Sequence, residues 1–228
     1  MRYSLILFDC DGTLVDSEYL NLKAIIDVIQ RHGAKNYDME YGMRHFSGLR
    51  FSQIIGMISE KDGITFPENA KYQFLDRVRE LAKTEMKPVE GARDMVSAAE
   101  NDVTIYVVSN GERTNVLMSL EFVGLKSFFP DERVISGAMT KNPKPAPDLF
   151  LMACDKEKTD PSDVLVIEDS VAGVTAARAG GMDVWGFCGT HHDKDTHAQH
   201  LKEAGAQHVF NTMHDMALHY IKSSAHKC

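Results

Sequence analysis

Four short apolar segments constrain the fold of this chain more than any other feature. They are Leu5–Phe8, Val103–Val108, Val164–Ile167 and Val184–Phe187. Each is bounded by polar or turn residues, as buried parallel strands are. Helical patterns accompany the later three, over Ala92–Glu100, Thr114–Val123 and Val171–Ala179. This alternation predicts an α/β fold, a Rossmann-like parallel sheet flanked by helices.

The segment between the first two strands breaks this alternation, because from Ser17 to about Pro88 it shows only helical periodicity. It is too long for an ordinary loop. We therefore predict an all-helical domain, residues 17–88, inserted after the first strand into a core domain formed by residues 1–16 and 89–228. The alternative is that these helices pack on the sheet as part of a single core.

Two aspartates, Asp9 and Asp11, come directly after the first strand and are followed by Gly12. Residues two apart on a strand face the same side, so both carboxylates address one site if the extended backbone continues to Asp11. A carboxylate nucleophile beside an acid/base is one solution for phosphoryl transfer through an aspartyl-phosphate. The alternative is a simple turn, in which Asp and Gly are common.

Two further segments offer groups that bind phosphate. Ser109 and Asn110 end the second strand before Gly111, where a hydroxyl and backbone N–H groups can hold phosphate oxygens. Lys144 lies in a loop stiffened by three prolines, which can aim one ammonium at one point. Taken alone, either segment is better explained as a turn.

Two adjacent acids, Glu168 and Asp169, follow the third strand. Ligands bind beyond the carboxyl ends of parallel strands, so these acids are expected near Asp9. Such a group repels itself unless a cation lies within it, and oxygen ligands beside a phosphate suit Mg²⁺. A helix N-terminus also favours one acid, but it explains a cluster poorly.

Together these segments resemble the haloacid dehalogenase superfamily, specifically its phosphatase and phosphomutase branch with a helical cap after the first motif. The resemblance rests on Asp-x-Asp-Gly-Thr, Ser-Asn-Gly, Lys-Pro and Glu-Asp-Ser in this order, and on Val166–Met182. It implies that Asp9 is the nucleophile and a Mg²⁺ ligand. It implies that Asp11 is the general acid/base and gives a backbone carbonyl to the metal. The remaining implied roles are phosphate binding by Ser109, Asn110 and Lys144, and metal binding by Asp169 with Glu168 beside it.

The resemblance also bears on the reaction and the substrate. An acid at Asp11 disfavours dehalogenation, and Asn21 stands where related sugar phosphomutases carry a histidine. Several segments are similar to bacterial sugar-phosphate phosphatases, including one that acts on 6-phosphogluconate. Arg50, in the loop Phe46–Phe51, is predicted to bind a second anionic group of the substrate. A sugar phosphomutase and a non-catalytic phosphometabolite-binding protein are the alternatives.

Composition restricts the partners. The net charge of −8 argues against nucleic acid, and no apolar run is long enough for a membrane span. Four widely spaced cysteines favour a reducing, cytoplasmic setting. We therefore expect a cytoplasmic enzyme, monomeric or weakly dimeric, that acts on a small phosphorylated molecule.

Eight of the ten histidines follow residue 190, and four of them lie close to one another. These four are His191, His192, His197 and His200. A zinc or nickel site is one interpretation, and a solvated polar loop is the other.

Overall fold

The structure is a computed structural model that describes residues 3–46 and 49–225. It divides into two compact units, one formed by residues 1–16 with 87–228 and the other by residues 17–86. Each unit has a core of its own. The described helices contain none that is both long and apolar enough to cross a membrane.

The first unit is built on a six-stranded sheet in the order β5-β4-β1-β6-β7-β8, with every neighbouring pair parallel. A separate antiparallel pair joins β2 to β3. The strands are β1 (Leu5–Phe8), β2 (Val15–Asp16), β3 (Lys87–Pro88), β4 (Thr104–Ser109), β5 (Val134–Ser136), β6 (Val164–Glu168), β7 (Asp183–Phe187) and β8 (His208–Phe210). The α/β fold predicted from the apolar segments is confirmed.

The central strands are β1, β4 and β6, and their side chains are almost wholly buried. Leu5 and Leu7 pack with Val164 and Val166 in one apolar cluster. Burial on both faces explains why these strands are continuous apolar runs rather than alternating ones. The sequence did not predict β5, because three residues between two short 3₁₀ turns carry too little pattern.

Helices of the first unit alternate with the later strands. They are α5 (Ala92–Glu100), α6 (Arg113–Phe122), α7 (Asp148–Glu157), α8 (Val171–Ala179), α9 (Lys194–Glu203) and α10 (Met213–Ala225), numbered after the four helices of the second unit. The helix α8 starts at the end of β6, where the Ser170 hydroxyl accepts the Gly173 N–H. The acids that follow β6 therefore lie at a sharp strand-to-helix turn.

Within its described residues the second unit consists of helices and connecting loops, with no strand. Its helices are α1 (Glu18–Arg31), α2 (Met39–His45), α3 (Phe51–Asp62) and α4 (Ala70–Glu85). Ile25, Ile29, Phe46 and Ile54 are among the buried residues of its main cluster. Asp38 caps α2 by accepting the Tyr41 N–H, and Gly63 ends α3 with φ of 69°.

Candidate active site

The carboxyl ends of β1, β4 and β6 converge at one edge of the sheet, because β1 pairs in parallel with both neighbours. Asp9 continues the hydrogen bonding between β1 and β6, since its N–H donates to the Ile167 carbonyl at 2.9 Å. The chain then turns, and the Cys10 carbonyl accepts the N–H groups of Leu14 and Val15. Asp9, Ser109 and Glu168 thus come from three adjacent strand ends.

Lys144 is the cation at this edge. Its Nζ donates to Asp9 Oδ1 at 2.7 Å, Glu168 Oε1 at 2.6 Å and the Val108 carbonyl at 2.7 Å. An ammonium has three hydrogens, so each one has a protein acceptor. The lysine side chain is only 3% exposed. Lys144 therefore holds the Asp9 carboxylate in place, and a phosphate oxygen would have to share or replace one of these acceptors.

The loop that carries Lys144 is fastened by Asn110. The Asn110 Nδ2 donates to the Lys144 carbonyl at 3.0 Å, and the Lys144 N–H donates back to Asn110 Oδ1 at 2.9 Å. The Asn110 side chain, predicted to bind phosphate, thus fixes the lysine backbone in this structure. Because the two residues are 34 positions apart, their pairing could not be read from the sequence.

The side chains of Ser109 and Asp11 both lie close to Gly111. The Ser109 hydroxyl is buried and accepts the Gly111 N–H at 3.0 Å. A Cβ added at Gly111 would lie 3.2 Å from Ser109 Oγ and 3.9 Å from Asp11 Oδ2. The absence of a side chain at Gly111 therefore keeps open the space between this hydroxyl and this carboxylate.

Three carboxylates form a group that suits a cation. One oxygen each from Asp9, Glu168 and Asp169 lies within 4.8 Å of the others. The side chain of Asp11 is not in this group, so its predicted contribution to a metal is through its backbone carbonyl. Both oxygens of Glu168 have partners, since Oε1 accepts from Lys144 and Oε2 accepts the Ser170 N–H and hydroxyl.

The charges of this group are incompletely balanced. Burial raises the pKa of Asp9 well above its usual value, although Lys144 opposes the rise. Burial and then the charge of Glu168 raise the pKa of Asp169. Burial disfavours the ammonium of Lys144, but Asp9 and Glu168 outweigh it and raise the Lys144 pKa. One ammonium among three crowded carboxylates leaves negative charge for a divalent cation, and oxygen donors fit Mg²⁺.

Two glycines make room for these acids. Gly12 has φ of 83°, and a Cβ there would lie 2.1 Å from Asp169 Oδ2. A Cβ at Gly173 would lie 1.8 Å from Glu168 Oε1. Neither position tolerates a side chain unless a carboxylate moves.

The sequence missed two residues that contact the acids. His197 Nε2 lies 2.5 Å from the Asp169 carbonyl oxygen, and His191 Nε2 lies 3.3 Å from Asp169 Oδ2. Within residues 3–46 and 49–225, the only group of three or more potential metal ligands is Asp9, Glu168 and Asp169. The zinc or nickel site suggested by the histidine cluster is therefore not formed there. The histidine cluster itself was visible in the sequence. Its contact with Asp169 was not, because Asp169 lies 22 or more positions away along the chain.

Arg50 belongs to the second unit. It directly precedes α3, its side chain is exposed, and its N–H donates to Gln53 Oε1 at 2.9 Å. Ser47 and Gly48 of the same loop lie outside the described residues. Its role in binding substrate stays a prediction.

The comparison with known proteins gives consistent matches. The model of the haloacid dehalogenase-like hydrolases matches residues 6–187. The chain is 31% identical to 6-phosphogluconate phosphatase of Escherichia coli (strain K12), over 85% of this chain and 86% of that protein. It is 29% identical to fructose-1-phosphate phosphatase of the same organism, over 80% and 95%.

A solved structure agrees with these matches. The crystal structure of a conserved haloacid dehalogenase-like protein of unknown function from Agrobacterium tumefaciens str. C58 has a TM-score of 0.83 and 28% identity. The match covers 97% of this chain and 99% of that one. The similarity therefore extends over both units of the chain.

Proposed function

The chain belongs to the haloacid dehalogenase-like hydrolases and hydrolyses phosphate monoesters, and we propose that its substrate is a phosphorylated sugar acid such as 6-phosphogluconate. Family membership and the phosphatase names of the relatives support a hydrolase over the alternative of a non-catalytic binding protein. The observation that carries the proposed site is the buried Lys144 ammonium, which bridges Asp9 and Glu168 beside Asp169.

Asp9 is the proposed nucleophile. Its carboxylate attacks phosphorus, the bond to the leaving oxygen breaks, and an aspartyl-phosphate forms on Asp9. Lys144 keeps the carboxylate oriented and offsets the negative charge of the phosphoryl group. Ser109, at the next strand end, offers a buried hydroxyl to a phosphate oxygen.

Asp11 is the proposed acid and base. It gives its proton to the departing alkoxide and then takes a proton from the water that attacks the aspartyl-phosphate. Free phosphate and the sugar hydroxyl are the products, and Asp9 is restored. The proximity of Asp11 Oδ2 and Ser109 Oγ to one point, 3.9 Å and 3.2 Å from a Cβ added at Gly111, supports a role for both at the same phosphoryl group.

Mg²⁺ is the proposed cofactor, held by Asp9, Asp169 and the Asp11 backbone carbonyl with Glu168 beside them. When bound, the ion neutralises phosphate charge and polarises the phosphoryl group. The donor set supports this assignment because it consists of oxygens alone.

Arg50 is the proposed contact for the sugar-acid carboxylate. A charge-assisted hydrogen bond contributes about 1.5–3 kcal/mol, so Arg50→Ala should lower kcat/KM for 6-phosphogluconate about 10- to 100-fold. The rate on a sugar monophosphate without a carboxylate should change little. Arg44→Ala is the matched control, because Arg44 is exposed in the same unit and pairs with Glu40.

The assay measures phosphate release across a panel of phosphorylated sugars and sugar acids, with Asp9→Asn as background. Equal losses on all substrates with Arg50→Ala would contradict the proposed role of Arg50. Formation of an isomeric sugar phosphate without phosphate release would favour a phosphomutase instead. Near-normal turnover by Asp9→Asn would overturn the nucleophile assignment.

A further inference from the structure

His191 and His197 stack on each other, and both contact Asp169. The ring centroids of His191 and His197 are 3.5 Å apart, with 18° between the ring planes. His197 lies in the first turns of α9, and His191 lies in the loop between β7 and α9. The nitrogen lone pairs lie in the ring planes, and two stacked, nearly parallel planes do not converge, so the pair is poorly arranged to chelate one metal ion.

The contacts determine which nitrogen carries hydrogen. The Asp169 carbonyl only accepts, so His197 must donate to it from Nε2. An ionised Asp169 carboxylate also only accepts, so His191 likewise donates from Nε2 to Oδ2.

Hydrogen bonds fix both the loop that carries His191 and the first turn of α9, which carries His197. The His191 N–H donates to the Cys188 carbonyl at 3.2 Å, and the adjacent Thr190 hydroxyl donates to the Gly12 carbonyl at 3.0 Å. Asp193 caps α9 by accepting the Thr196 N–H, which fixes the turn that carries His197. The histidines are thus tied to the loop that follows Asp9 as well as to Asp169.

We propose that His191 and His197 are positioning residues that orient Asp169 for Mg²⁺. His191 holds Oδ2 and leaves Oδ1 for the ion, while His197 fixes the backbone from which the side chain extends. The inference rests on the proposed function, because it takes Asp169 as a metal ligand. Partners of this kind set ligand orientation, and their loss weakens metal binding.

The test measures Mg²⁺ affinity by isothermal titration calorimetry on the full chain without substrate. His191→Ala and His197→Ala should each raise the Kd about 10-fold or more. His191→Gln and His197→Gln keep an N–H donor and should recover most of this loss. His192→Ala and His200→Ala are matched controls, because both side chains are exposed in the same segment, and they should bind as the wild type does.

Thermal unfolding in EDTA separates positioning from folding. A variant with an unchanged Tm in EDTA but weaker Mg²⁺ binding supports the proposal. Wild-type affinity in both alanine variants overturns it, as does a wild-type protein that binds no Mg²⁺. If His197→Ala fails to fold, the His191 variants and His197→Gln decide the question. A wild type that binds Mg²⁺ but releases no phosphate from any ester would refute the proposed function while the effect of the histidines on Mg²⁺ affinity remained measurable.

Discussion

At the scale of single residues, Lys144 connects the groups that define the site. It supplies the positive charge next to Asp9 and Glu168, and it also satisfies the backbone carbonyl of Val108. Removing one partner of a buried ion pair costs more than the pair contributes, because a charge is left buried and unpaired. Lys144 should therefore matter for folding as well as for activity.

We expect Lys144→Met to abolish phosphatase activity and to lower the free energy of unfolding by about 3 kcal/mol near pH 8. The loss of stability should shrink towards pH 5. Without the ammonium the pKa of Asp9, already raised by burial, rises further, so the folded state holds a proton that the unfolded chain has released. Urea unfolding in EDTA at both pH values measures this.

The control for this experiment is Lys141→Met, since Lys141 is exposed in the same loop. It should leave activity and stability unchanged. Equal destabilisation by Lys144→Met at pH 5 and pH 8 would contradict the assigned charge relation between Lys144 and Asp9.

At the scale of elements, the turn from β6 into α8 brings the Glu168 carboxylate against the backbone of Gly173. Glu168 ends the strand, Ser170 caps the helix, and Gly173 in the first turn faces the Glu168 carboxylate. In an exposed helix interior, glycine is less favourable than alanine by about 0.5–1 kcal/mol. At Gly173 the close approach of the carboxylate reverses that preference.

We expect Gly173→Ala to destabilise the protein by about 1–3 kcal/mol, because the new methyl group must displace Glu168 and its contact with Lys144. Gly56→Ala is the matched control. Gly56 is exposed in α3 with nothing within 4 Å of an added Cβ, so this variant should be stabilised by about 0.5–1 kcal/mol. Thermal unfolding of both variants provides the comparison, and stabilisation by Gly173→Ala would contradict the packing described.

Patterns within an element were readable from the sequence, but contacts between distant segments were not. The strand β1 and the helix α8 have the predicted bounds, because an apolar run and a capped amphipathic segment are local signals. The acids were placed correctly at strand ends because parallel strands end at one edge. The hydrogen bonds of Asn110 with the Lys144 backbone, and those of His191 and His197 with Asp169, join segments 22 to 34 positions apart. Such contacts depend on how separate loops fold, which periodicity does not encode.

At the scale of the whole molecule, the site couples stability to pH and to divalent cations. The chain carries a net charge of −8, and part of its negative charge is buried at Asp9 and Asp169. Both groups have a raised pKa in the fold, so the unfolded chain releases these protons first. Their contribution to stability therefore falls as the pH rises above the ordinary value of 3.8.

We expect Mg²⁺ to stabilise the protein by about 2.7 kcal/mol at a concentration 100 times its Kd. At one fixed Mg²⁺ concentration the gain should be larger at pH 8 than at pH 5, because protons compete with the ion for Asp9 and Asp169 and raise its Kd. Asp169→Asn should remove most of it, whereas Asp102→Asn, which alters an exposed acid in the same unit, should not. Thermal shifts with Mg²⁺ and with EDTA test this, and an equal gain in both variants would argue against Asp169 as a ligand.

The short ladder between β2 and β3 has a consequence for how such a chain is assembled. Val15 pairs with Pro88 and Asp16 with Lys87, so the chain leaves the sheet-bearing unit and returns to it at adjacent points. Paired residues of antiparallel strands lie only about 5 Å apart, a gap that a two-residue hairpin turn closes. We therefore expect that a two-residue turn joining Asp16 to Lys87 can replace residues 17–86 while β2 and β3 stay paired.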